Sequence, residues 1–155
     1  MTTDPLKLAI ASLPHGPEFR FLDRLLSLEA GASGVGEYTV RGDEPFLRGH
    51  FPGEPMMPGV LLLEAAAQLA GAVAQSDSRI PRLPGLKLTA VRRAKIFGTA
   101  RPGDIIRLEA RVLGRLQNLV QAQVSASIGG RLVMQAELAL SGDTTFVPLV
   151  CGDQQ

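Results

Sequence analysis

The chain has 155 residues, 45% hydrophobic and 20% charged, with 16 Lys+Arg against 15 Asp+Glu and a formal charge of +1. That is about one domain's worth of chain with globular composition; it excludes a mainly disordered polymer, and roughly two-thirds of the unfolded surface can enter one core. Balanced charge gives no support to a nucleic-acid or membrane-surface role, and one cysteine, Cys151, excludes a disulfide framework or a multi-cysteine metal site within the chain.

The opening text, MTTDPLKLAIASLPHG, has no basic region followed by a long apolar run and does not read as a signal peptide. Residues 5–11 predict a short helix capped by Asp4, with Pro5 in its first turn. Residues 19–29 are apolar-rich and predict a first strand. A turn at 30–34 follows, then a second strand over 35–40, where Val35, Tyr38 and Val40 are β-formers.

Residues 43–58 carry four prolines and two glycines, which predicts an ordered loop without a regular element. From Gly59 to about Ser76 the text predicts a helix of ~18 residues, roughly 27 Å long. It is apolar on nearly every face, so it should be buried all round. Its most apolar stretch, 60–74, contains Glu64 and Gln68 and is too short to span a bilayer. The expectation is a soluble, reduced, cytoplasmic protein.

A polar connection over 76–85 leads to a strand over 86–97, a turn at 101–104 and an alternating strand over 105–116. Strands over 119–128 and 132–140 should form a hairpin at Gly129-Gly130, with a loose tail after them. The expected organisation is a single domain over 1–142 and a C-terminal tail over 143–155. The fold class is α+β: an antiparallel sheet wrapped around one central helix. One sheet cannot cover a helix completely, so a dimer or larger assembly is expected.

Two residues carry the chemistry. Glu64 sits about one turn into the buried helix, so its carboxyl should find a partner or hold its proton. Gln68, four residues on, lies on the same face and within reach of it. An arginine pairing at a subunit interface is the other reading of Glu64. His50 lies in the Pro/Gly-rich loop that runs into the helix N-terminus, where free N–H groups point outward. A lone loop histidine is usually a surface residue. Here prolines fix φ at four places and the glycines let backbone approach a ligand, so the loop can hold that side chain in one direction. A base, a carboxylic acid and a helix N-terminus suit proton abstraction next to a carbonyl, with an acid to assist a leaving group.

The run from Gly49 to Val60, GHFPGEPMMPGV, with Glu64-Ala65-Ala66-Ala67-Gln68 after it, resembles the bacterial (3R)-3-hydroxyacyl-[acyl-carrier-protein] dehydratases of the FabZ type. Leu13-Pro14-His15, Asp23-Arg24, Glu44-Pro45-Phe46, Ala94-Lys95 and Pro102-Gly103-Asp104 extend the similarity over most of residues 12–115. The chain departs from the family pattern at Gly16-Pro17-Glu18, where Arg-Tyr-Pro is usual, and at Ile96-Phe97-Gly98-Thr99, where Phe-Arg-Arg-Pro is common. The resemblance implies a hot-dog fold, a homodimer with one continuous sheet and possible assembly into a hexamer. It implies that His50 of one subunit works with Glu64 of the other on an acyl chain carried by the phosphopantetheine arm of an acyl carrier protein.

In that reading His50 removes the α-proton, Gly59 and Val60 N–H groups hold the thioester oxygen, and Glu64 protonates the departing hydroxyl. Phe51, Met57, Leu61 and Gln68 line the substrate tunnel, with Leu62 beside them; plain core is the other reading of the apolar ones. His15 is expected to be structural. No metal or other cofactor is expected. The alternatives are a hot-dog acyl-thioesterase, which would not require His50 in its complete loop, and a non-catalytic subunit that binds acyl carrier protein.

Overall fold

Asp4 starts the first helix, α1 (Pro5–Ala11), by accepting a 3.0 Å hydrogen bond from Leu6 N, with Pro5 in the first turn as the sequence predicts. The computed structural model describes residues 3–143; the expected tail therefore lies, from residue 144 on, outside the described residues.

The predicted first strand divides in two. A single 3-10 turn spans Pro17–Phe19, and the strand, β1, is confined to Arg24–Glu29. Between them Phe21 and Leu22 enter the core, and Phe21 N–H donates to the Gln68 side chain instead of a neighbouring strand. Strand β2 (Ser33–Thr39) pairs antiparallel with β1. The proline-rich loop contains one element that the sequence reading omitted, a 3-10 turn over Pro45–Arg48 that tucks Leu47 into the core. Pro45 at its start supplies the φ such a turn needs.

The central helix, α2, runs Gly59–Ala74. Strands β3 (Lys87–Ile96), β4 (Ile105–Leu116), β5 (Leu119–Ile128) and β6 (Arg131–Ser141) follow. The six strands form one antiparallel sheet in the order β1-β2-β4-β5-β6-β3. β4 shows why the sheet has an inside: Ile106, Leu108 and Ala110 are buried, while Arg107, Glu109 and Arg111 face out. The β5–β6 hairpin closes at Gly129 and Gly130, whose φ values of 57° and 79° suit the tight turn their sequence predicts.

α2 packs on the inner face against β2, β4, β5 and β6. Close approach is possible because two β2 residues lack side chains. A Cβ on Gly34 would lie 2.7 Å from Val73 Cγ2 of the helix, and one on Gly36 would lie 2.6 Å from Leu22 Cδ1. Burial of the helix is not uniform within one chain. Leu62 and residues 65–70 are buried, but Val60 is 70% exposed and Leu61, Leu63 and Glu64 are half-buried. β3 is a ten-residue edge strand whose Val91 and Ile96 are exposed.

The chain leaving β2 is tied down by one buried carboxylate. Glu44 Oε1 accepts hydrogen bonds from Tyr38 Oη at 2.9 Å and Arg41 N at 2.7 Å, and Oε2 accepts from Gly42 N at 2.9 Å. Burial alone would push the Glu44 carboxyl up, but these donors hold it below its ordinary range. On the other side of the bond, burial and then Glu44 itself push the Tyr38 hydroxyl well above its ordinary value. The clamp fixes the start of the segment that carries His50.

Glu44→Gln turns one acceptor into an N–H donor facing Gly42 N–H. Charge-assisted bonds of this kind contribute about 1.5–3 kcal/mol, and that is the expected loss at pH 7 by urea denaturation. The native carboxyl is held below the usual value of about 4.3, so its stabilisation is complete above that pH and is lost as pH falls through the native value. The gap between the two proteins should therefore close in acid; a gap independent of pH would assign the effect to packing alone.

Candidate active site

The loop over residues 50–56 folds back on itself. Phe51 N donates to Glu54 O at 3.0 Å, Glu54 N to Phe51 O at 2.9 Å, and Met56 N to His50 O at 2.8 Å. Its end is stitched to the segment after β3 by Met57 N to Ala100 O at 2.8 Å. Inside this frame His50 Nδ1 lies 2.9 Å from Met56 O. A carbonyl oxygen only accepts, so Nδ1 carries the hydrogen, and the neutral ring has its lone pair on Nε2. The Phe51 ring stacks on His50 with centroids 4.1 Å apart.

The loop delivers the chain to the start of α2, where Pro58 is the N-cap. Leu61 N donates to Pro58 O at 2.9 Å, so the N–H groups of Gly59 and Val60 precede the first bond of the helix. A Cβ on Gly59 would lie 2.6 Å from Ile96 Cδ1, so the end of β3 closes over this first turn and leaves room for glycine.

One turn further on, Glu64 faces the N-terminal segment. Its Oε1 accepts from Gln68 Nε2 at 3.2 Å and lies 3.4 Å from His15 Nε2. Gln68 is 2% exposed and its amide is fully used: Nε2 also donates to Phe19 O at 2.8 Å, and Oε1 accepts from Phe21 N at 2.9 Å. Arg20 Nη2 donates to His15 O at 3.1 Å, which holds the His15 backbone in place. Beside Glu64 lies a cleft of about 770 Å³, with His15, Gln68, Gly71, Leu83, Leu86 and Leu140 among its walls.

The sequence reading joined Gln68 to Glu64, and the structure has that contact. Within the chain, among the described residues, Glu64 is paired with His15. His15 was read as merely structural; its approach to Glu64 spans 49 residues of chain, and no local spacing signals it. Of the four expected tunnel residues, Gln68 lines the cleft. Met57 is in the protomer core at 1% exposure, Leu61 is half-buried against the core, and Phe51 is half-exposed on the His50 loop. His50 is not among the residues that line the cleft at Glu64.

The family model for FabA-like domains matches residues 13–137. The 3-hydroxyacyl-[acyl-carrier-protein] dehydratase FabZ of Syntrophotalea carbinolica is 39% identical over 131 residues, covering 81% of this chain and 86% of that protein. The enzyme of the same description from Chloroflexus aggregans is also 39% identical over 131 residues, covering 83% and 89%. Among solved structures, the dehydratase heterocomplex ApeI:P from Xenorhabdus doucetiae superposes with a TM-score of 0.73 at 17% identity, covering 86% of this chain and 89% of that one. Cj0977, a sigma28-regulated virulence protein from Campylobacter jejuni, gives 0.65 at 11% identity, covering 94% and 95%. Identities that low speak for the fold alone, and the fold is the hot-dog: a six-stranded antiparallel sheet packed on the central helix α2. With most of its length matched by the family model and nearly two-fifths of the aligned residues shared with FabZ enzymes, the chain belongs to the FabA-like family.

Proposed function

We propose that the protein is a 3-hydroxyacyl-[acyl-carrier-protein] dehydratase of fatty-acid biosynthesis, which removes water from a (3R)-3-hydroxyacyl thioester to give the trans-2-enoyl thioester. The observation that carries the mechanism is the His50 ring, whose Nδ1–H is committed to Met56 O and whose Nε2 is left as a base. His50 Nε2 takes a proton from the α-carbon. The thioester oxygen gains charge as that bond breaks, and the Gly59 and Val60 N–H groups at the positive end of α2 stabilise it. The electron pair forms the α–β double bond as the β-carbon–oxygen bond breaks. Glu64, protonated, gives its proton to the departing hydroxyl, which leaves as water. The turnover closes when the proton on His50 returns to Glu64 through solvent. The acyl chain arrives on the phosphopantetheine arm of acyl carrier protein.

We further propose that each site is shared between two copies of the chain. Within one chain, no contact among the described residues joins His50 to Glu64, and the cleft at Glu64 does not include His50. β3 offers a ten-residue edge with exposed Val91 and Ile96, followed by exposed Phe97, and the first turn of α2 exposes Val60 nearby. A long open edge with apolar side chains invites a second strand. A second copy that continues the sheet across β3 covers these residues and brings the His50 loop of one chain towards Glu64 of the other.

His50→Ala should abolish dehydration of a carrier-bound 3-hydroxyacyl substrate by ~10²–10⁴-fold, the usual weight of a general base, while assembly by size-exclusion chromatography is unchanged. Near-normal turnover would remove His50 from the mechanism.

Glu64→Gln keeps the shape but donates no carboxylic proton. The expected result is an intact oligomer with turnover lowered by a similar ~10²–10⁴-fold. If Glu64 served only to hold an interface, the pattern would invert: activity per assembled dimer would survive and assembly would weaken. Including a saturated acyl thioester in the same assay tests for hydrolysis, which this mechanism does not predict.

A further inference from the structure

We propose that His15 is a positioning residue for Glu64: it holds Oε1 and so reserves Oε2 as the oxygen that carries and delivers the acid proton. The proposal rests on the dehydratase reading of Glu64. Two side chains converge on Oε1 from different parts of the chain, Gln68 Nε2 from the next helical turn at 3.2 Å and His15 Nε2 from the N-terminal segment at 3.4 Å. No contact among the described residues engages Oε2.

The hydrogen positions follow from the partners. Gln68 Oε1 accepts from Phe21 N–H, so its Nε2 is the end that faces Glu64, and an amide nitrogen only donates. His15 Nδ1 is buried with no hydrogen-bond partner, and a buried N–H without an acceptor is costly. The neutral ring therefore carries its hydrogen on Nε2, the nitrogen that lies 3.4 Å from Glu64 Oε1. An oxygen approached by the Gln68 N–H and by His15 Nε2 is the less favourable place for the acid proton, since a carboxyl O–H accepts more weakly than the carbonyl oxygen. The protonated form of Glu64 therefore places its hydrogen on Oε2.

The arrangement is built and not incidental. Arg20 fixes the His15 carbonyl, the Phe19 ring stacks near the imidazole with centroids 6.5 Å apart, and Gln68 is locked between Phe19 O and Phe21 N. A glutamate side chain left to itself samples many rotamers, and ordering it carries an entropic cost. Gln68 alone leaves rotation about the single bond it makes; the imidazole 3.4 Å away on the other side restricts that rotation. His15 and Glu64 also line the same cleft, so the contact lies at an accessible surface and not deep in the core.

The test is steady-state kinetics on a carrier-bound 3-hydroxyacyl substrate, with His15→Ala, His15→Gln and Glu64→Gln made singly and His15→Ala combined with Glu64→Gln. His15→Ala should lower kcat about 10–100-fold and change KM by less than about threefold, the pattern for loss of an oriented supporting group. His15→Gln, whose amide reaches the position of Nε2, should recover most of that loss. In the Glu64→Gln background His15→Ala should cause no further loss, because a residue that acts through Glu64 has nothing left to act on. A kcat for assembled His15→Ala within twofold of wild type, or an equal further loss in the double variant, overturns the proposal. If His15→Ala does not assemble, His15→Leu fills the space without a donor and must show the same kcat loss; normal turnover there also overturns it. Failure of the underlying reading looks different: Glu64→Gln itself would remain active.

Discussion

One buried amide holds the site to the fold. Gln68 sits on a helix that is otherwise almost wholly apolar, and its side chain makes three hydrogen bonds to groups far away in sequence or one turn back. Two of them satisfy the backbone of Phe19 and Phe21, where the N-terminal segment crosses the helix without strand partners. The third aims Glu64. An unpaired amide at this depth would be strongly unfavourable, so segment and helix can dock in one register only. That register brings His15 to Glu64 and makes them neighbours on one wall of the cleft.

The rest of the architecture serves the same helix. Gly34 and Gly36 let α2 and the segment before β1 approach the sheet more closely than any side chain would permit. Glu44 ties the chain to β2 before it turns into the His50 loop, and the loop's own backbone bonds then fix the imidazole. Rigidity is thus placed ahead of His50, and the helix N-terminus follows directly. Val60, Phe51 and, on the β3 edge, Val91 and Ile96 are among the apolar side chains that one chain leaves exposed. These are the groups a second copy has reason to bury.

Much of this was legible in the residues. β4 and β5 were read with the bounds the structure gives, because strict alternation and a Gly-Gly turn leave one register. The run from Gly49 to Gln68 by itself points to a base, an acid and a helix N-terminus. What was not legible depended on distant partners. The first strand begins late because Gln68, from far along the chain, takes the Phe21 N–H. That one sheet leaves part of the helix uncovered was expected, but that the gap falls at the first turn is decided by where the sheet ends, which hydrophobicity does not encode. The contact of His15 with Glu64 was not legible because it is a product of the fold and not of spacing.

The central claim is that two chains build each site, with His50 from one and Glu64 from the other. The most direct measurement mixes His50→Ala and Glu64→Gln proteins after denaturation, refolds them together and assays the product, with subunit exchange verified by differential tags. Random pairing makes half of the dimers mixed, and each mixed dimer has one wild-type site and one doubly altered site, so about a quarter of wild-type activity should return. No recovery despite proven exchange would contradict the account and place both residues in one chain's site.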